Sequence, residues 1–156
     1  MSKLLKTTPL PDGREGKIYY NPQLGNVSTG VSTFFLRSYA DFIEAGHGSP
    51  WMSVGNKSHV IWMEIDGAVV TLGTFDFVPE FKRIFITFAS VAPEYRRTGF
   101  GSMIYSDVTE DIFRELGATE LTALIHTSND AIKIGLEGLG WSAGHYRMVK
   151  NLPPKS

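Results

Sequence analysis

The sequence predicts an α/β protein, a single sheet layered with helices. Three observations carry this. Stretches of strand character and helix character alternate along the chain. Two runs rich in β-branched and aromatic residues flank Asp66-Gly67 within residues 59–79, a strong hairpin signal. The run IFITFASV (84–91) is almost continuously apolar, as expected of a strand covered on both faces.

Each element follows from local pattern. MSKLLKTTPLPDG has no long apolar segment and is punctuated by Pro and Gly, so residues 1–16 are expected to be a loosely ordered entry. KIYY (17–20) reads as a short first strand, and NPQLGNVSTG (21–30) as turn chemistry. STFFLRSYADFIEAG (32–46) reads as a helix capped by Ser32 or Thr33 and ended by Gly46. Phe35, Leu36, Tyr39, Phe42 and Ile43 recur along it at spacings of three and four. GHGSPW (46–51) is a loop, and the hairpin and RIFITFASV (83–91) follow. From about 98 to 116, Phe100, Ile104, Val108, Ile112 and Leu116 line one side of a helix; Asp107, Glu110, Asp111 and Arg114 take the other. Gly117 is placed to end that helix. ELTALIH (120–126) is a strand, Asn129 starts a helix to about 138, and HYRMVKNL (145–152) is a last strand.

A length of 156 residues fits one domain, 1–156, without a linker or internal repeat. The net charge of −1 argues against a nucleic-acid partner, which usually leaves a basic footprint. There is no cysteine, hence no disulfide or thiolate site, and the histidines at 47, 59, 126 and 145 lack metal-ligand spacing, so no metal is expected. Neither a secretory signal nor a membrane span is readable, which makes a cytoplasmic location, with no membrane partner, the default.

The functional signal lies in VAPEYRRTGFGSM (91–103). A helix start offers unpaired N–H groups and partial positive charge. Gly99 and Gly101 let a ligand approach the main chain, and Arg96 and Arg97 add fixed charge. No acid lies between Glu94 and Asp107. These features fit a phosphate or pyrophosphate seat; the bland alternative is a tight turn with two surface arginines. A Walker loop is excluded because no Gly-Lys-Ser/Thr follows, and the dinucleotide fingerprint fails after its second glycine.

The stretch Val91-x-Pro93-x-x-Arg96-x-x-Gly99-x-Gly101 resembles the acetyl-CoA loop of the GNAT acyltransferase superfamily. A second block agrees: Asn129 at a helix start is followed eleven residues later by Gly140-Trp141, where the family has Gly-Phe. The resemblance covers roughly residues 59–150, which it implies to be the cofactor-binding core. It implies a mixed, mostly antiparallel sheet with helices on both faces and acetyl-CoA as acyl donor. The acceptor it implies is a small molecule or protein bearing a primary amine. In the family the fourth strand splays from the fifth, and the pantetheine arm adds there like a strand. By match, Ala89, Ser90 and Val91 would pair with pantetheine. The amides of Arg97, Thr98, Gly99, Phe100, Gly101 and Ser102 would hold the pyrophosphate beside Arg96, and Asn129 would touch the cofactor. A fixed N–H near Ala89 would stabilise negative charge on the thioester oxygen.

Several positions depart from the family. Many members place a proton-donating tyrosine where this chain has Leu136, which leaves water, Ser90 or Ser128 to serve, or no acid at all. The glutamate positions correspond to Phe85 and Leu124. An alkyl ammonium titrates near 10.4, so something should take its proton; Glu64, Asp76 and His126 are the candidates, with His145 and Tyr146 behind them. The end is clipped, with room for one good strand after Trp141, a shape that resembles short phage-encoded GNAT proteins. It implies a sheet edge open to a partner, a homodimer included. The alternative function is a GNAT-like binding or structural protein that transfers nothing.

Overall fold

The computed structural model of the chain describes residues 1–46, 54–96, 107–124, 142–143 and 147–155. In order its main elements are β1 (Lys3–Pro9), β2 (Glu15–Asn21), α1 (Thr29–Glu44), β3 (His59–Ile65), β4 (Ala68–Val78), β5 (Arg83–Val91), α2 (Asp107–Leu116), β6 (Glu120–Leu124), β7 (Ser142–Ala143) and β8 (Arg147–Asn151). The described strands form one sheet in the order β1-β2-β3-β4-β5-β6-β8-β7. Every neighbouring pair is antiparallel except β5–β6, which is parallel and connected through α2. This is the mixed, mostly antiparallel sheet expected of the sequence.

The hairpin forms as its turn residues dictate. Asp66 and Gly67 take φ of 52° and 79°, the two positive values of a tight primed turn. The helix α2 ends at Gly117, φ 98°, whose N–H donates to Arg114 while Ala118 N–H donates to Phe113, a pairing that satisfies the last carbonyls.

Three expectations need correction. Residues 1–16 are not a loose entry: Lys3–Pro9 pairs with β2 and extends the sheet by a strand. The pattern was hard to see because β1 is an edge strand with exposed Lys3, Leu4 and Lys6, so it carries little alternation. Helix α1 starts at Thr29, not at a Ser32 or Thr33 cap, and the Ser32 hydroxyl instead donates back to the Thr29 carbonyl at 3.2 Å. Its buried stripe is Val31 and Phe35 with Tyr39 and Phe42 beside them, whereas Leu36 is 64% exposed and Ile43 50% exposed. Finally, the end of the chain holds the two-residue β7 as well as β8, and β8 lies between β6 and β7. The expected helix from Asn129 to 138 and residues 98–106 of the earlier helix lie outside the described residues.

Two cores sandwich the sheet. On one face Ile18, Ile61, Met63, Phe75, Ile84 and Leu121 pack with Ile112 and Phe113 of α2, and Phe75 meets Phe113 edge-on at 4.9 Å. On the other, Val60, Trp62, Leu72 and Phe88 pack with Val31 and Phe35 of α1. Helices therefore cover both faces. Phe88 anchors α1, with the rings of Phe35, Tyr39 and Phe42 set edge-on around it at 5.6, 5.5 and 5.2 Å.

Candidate functional site

A β-bulge opens the middle of the sheet. Thr74 pairs with Phe88 and Phe75 with Ile86, which leaves Thr87 as an extra residue on β5. Its hydroxyl shares a 2.7 Å hydrogen bond with that of Thr74 in a buried setting. Bulges bend and twist the strand that carries them, and the bulge follows directly on the last described β5–β6 pair. Among the described residues the parallel register runs from Arg83–Glu120 to Ile86–Ala123, with β5 continuing to Val91.

Beyond the bulge, alternation decides which main-chain groups face away from β4. Ala92 N–H donates to Val70 O at 2.7 Å, and Ser90 O accepts the Thr71 hydroxyl at 3.0 Å, so Ser90 and Ala92 point their main-chain groups at β4. Ala89 and Val91 therefore point theirs the opposite way, away from β4 and toward the β6 side of the strand. The Val91 carbonyl faces Arg96, whose Nε donates to it at 3.3 Å. Of the three strand residues picked out in the sequence, the geometry thus turns Ala89 and Val91 outward and leaves Ser90 engaged with its neighbour strand. The Ser90 side chain shares the α1 face with its cross-strand partner Leu72.

From Val91 the chain makes a tight turn at Pro93–Tyr95 and reaches Arg96, which is exposed. Arg97, Thr98, Gly99, Phe100, Gly101, Ser102, His126 and Asn129, with Ser128, Leu136, His145 and Tyr146, lie outside the described residues. Beside the turn, a groove of about 510 Å³ separates α1 from the end of β5; Thr33, Arg37, Asp41, Val91, Glu94 and Arg96 are among its walls. The sequence reading missed Arg37 and Asp41, which show there only as polar-face residues of an amphipathic helix.

The carboxylate candidates separate. Glu64 stands at the same end of the sheet as Ser90, two strands away, and its Oε2 accepts the Trp62 indole N–H at 2.8 Å. Trp62 is in the row of Ser90 and Glu64 two residues beyond it, so two strand spacings and two residues of rise put Glu64 roughly 12 Å away. Asp76 is opposite Phe85, at the far end of the sheet from Ser90; five residues of strand are roughly 17 Å. The structure does not bring Asp76 and Ser90 together. Asp76 instead neighbours a Tyr20–His59 pair, hydroxyl to Nδ1 2.8 Å. Burial pushes the Tyr20 hydroxyl up to about 12, helped by the charge of Glu115. Burial also holds the His59 imidazole below its ordinary value, against the opposing charge of Asp76.

Residues 32–135 match the acetyltransferase (GNAT) family. The chain belongs to this family. The match runs from within α1 through the hairpin and β5 to beyond the Arg-Gly motif. Curated proteins give no match. Among solved structures, this GNAT chain is similar to nourseothricin acetyltransferase at 18% identity and TM-score 0.57, over 62% of this chain and 66% of that one. It is similar to the N-acetylglutamate synthase of Neisseria gonorrhoeae, solved with coenzyme A and N-acetyl-glutamate, at 13% identity and TM-score 0.66, over 88% of this chain and 35% of that one. A third likeness is to the ribosomal-protein-S18-alanine N-acetyltransferase of Escherichia coli, at 13% identity and TM-score 0.62, over 89% and 96%. The chain thus spans about two thirds of the first protein's length and about a third of the second's. At such identities the likeness shows the fold. Among the described residues no helix is long and apolar enough to cross a membrane.

Proposed function

We propose that this GNAT protein is an N-acyltransferase that moves an acetyl group from acetyl-CoA to a primary amine. The observation that supports it, beside the family match, is that the main-chain groups of Ala89 and Val91 turn away from β4 on the stretch of β5 beyond its last described pair with β6, Ile86–Ala123. Strand groups turned away from their neighbour strand need partners; the Val91 carbonyl accepts Arg96 Nε, and a ligand would serve the remaining ones. An arm built from amides, such as pantetheine, fits that edge in the manner of an added strand. Ala89 and Val91 would pair with it, and Arg96 with the amides of Arg97 to Ser102 would seat the pyrophosphate. Asn129 would steady the cofactor from its own helix, and Ser90 stands next to the edge with its hydroxyl on the α1 face.

When bound, acetyl-CoA supplies a thioester open to attack by an amine. The Ala89 N–H, aimed away from β4, would stabilise charge on the thioester oxygen. Glu64 would accept the proton of the incoming ammonium through water, because it shares the Ser90 end of the sheet, roughly 12 Å away by strand spacing and rise. Asp76 takes no part. The groove between α1 and Val91–Arg96 would admit the acceptor, with Asp41 and Glu94 at its wall to meet a cationic amine.

A second reading, a CoA-binding protein without transfer, draws support from Leu136 standing where many relatives carry a tyrosine. One experiment separates them. Purified protein is incubated with acetyl-CoA and a panel of small amines, peptide N-termini and lysine peptides, and free thiol is followed above hydrolysis. Amine-dependent release supports transfer; coenzyme A binding with no release for any amine supports the second reading.

A further inference from the structure

Arg14, from the turn between β1 and β2, reaches across the fold to the segment that launches the Arg-Gly loop. Its Nη1 donates to the Tyr95 hydroxyl at 2.9 Å, and its guanidinium lies over the Tyr95 ring, 5.6 Å from the centroid. Asp12 aims it: the Asp12 carboxylate accepts the Arg14 backbone N–H at 3.0 Å and Nε at 2.7 Å, with Nη2 at 2.6 Å. Asp66, in the hairpin turn, stands 3.9 Å from Nη1. Three turns thus converge at the end of the sheet where β5 runs out. Tyr95 is the last residue of a single helical turn held by Tyr95 N–H to Ala92 O at 2.9 Å and Arg96 N–H to Pro93 O at 3.4 Å. Arg96 comes next, and it is the residue that grips the Val91 carbonyl.

We propose that Arg14 is a positioning residue for acetyl-CoA binding: held by Asp12, it fixes Tyr95 and so sets the direction in which Arg96 and Val91 meet the cofactor. The inference rests on the function proposed above. A planar guanidinium suits the task, since one edge donates to the Tyr95 hydroxyl while its other donors stay on Asp12. The residue touches nothing that reacts; it acts through Tyr95.

The test is a double-mutant cycle on the full chain, read by calorimetry with coenzyme A. Tyr95→Phe keeps the ring and removes the hydroxyl, so it remains informative if Arg14→Ala fails to fold. Each single variant is expected to raise the Kd for coenzyme A by roughly three- to tenfold, a fraction of one charged hydrogen bond. The double variant should be no worse than Arg14→Ala, because the two share one interaction. In turnover the loss should fall on the KM for acetyl-CoA rather than on kcat, a split that a general loss of stability would not produce. A Kd unchanged in Tyr95→Phe, or strictly additive effects, would overturn the inference while leaving the function intact. Wild-type protein that binds no coenzyme A would overturn the function first, and this inference with it.

Discussion

Replacing Phe88 by alanine tests how α1 is fastened to β5. Phe88 is 3% exposed and sits inside three edge-on rings from α1. A buried Phe→Ala change typically costs about 3–5 kcal/mol, and the edge-on contacts place this site toward the upper part of that range. For a domain of this size each kcal/mol lowers Tm by about 2–4 °C, so a fall of roughly 6–20 °C follows. The control is Leu36→Ala. Helical periodicity places Leu36 on the buried stripe, but the structure leaves it 64% exposed, and its loss should cost less than about 0.5 kcal/mol. Urea unfolding of both variants beside wild type gives the free energies directly. A Phe88→Ala loss below about 1 kcal/mol, or a Leu36→Ala loss that exceeds it, refutes the packing described for α1.

Further outcomes follow from single residues. Gly67→Ala should destabilise by about 1–2 kcal/mol through its positive φ alone, since the space around it is open, whereas Gly30→Ala in the first turn of α1 should be neutral or stabilise by up to about 1 kcal/mol; denaturant midpoints decide both. His59 is held below its ordinary titration value by burial, so the unfolded chain binds the proton more readily. Stability from this group is complete above about pH 6.5 and is lost as pH falls through the folded value. His59→Gln should flatten that acid-side slope in urea titrations at stepped pH. Glu64→Gln should lower kcat by about 10²-fold or more at neutral pH if the carboxylate takes the amine proton, with the loss shrinking at high pH. Asp76→Asn should leave kcat within about twofold, and a large loss there would return Asp76 to the site.

What the sequence disclosed was what local chemistry fixes. Asp66-Gly67 dictated its turn, Gly117 its helix end, and the run 83–91 its strand to the residue. The six positions from Val91 to Gly101 resemble the GNAT loop, and the family match covers them. What it concealed depends on partners distant in the chain. Residues 3–9 became a strand only by pairing with β2, and the stripe of α1 was set by where Phe88 stands, not by its own periodicity. The bulge at Thr87 has no signature in IFITFASV, yet it decides that Ala89 and Val91 face away from β4 and Ser90 toward it. Asp76 and Glu64 looked equivalent as strand carboxylates; register alone put them at opposite ends of the sheet. Arg14 was invisible as a site residue, since its meeting with Tyr95 spans 81 positions.

Residue-resolved amide hydrogen exchange, with and without coenzyme A, tests the completed strand edge most directly. Added coenzyme A should slow exchange at the Ala89 and Val91 amides and leave that of Ser90, already directed at β4, unaltered. Exchange that stays the same at Ala89 and Val91 under saturating coenzyme A would mean that the cofactor does not lie along this strand.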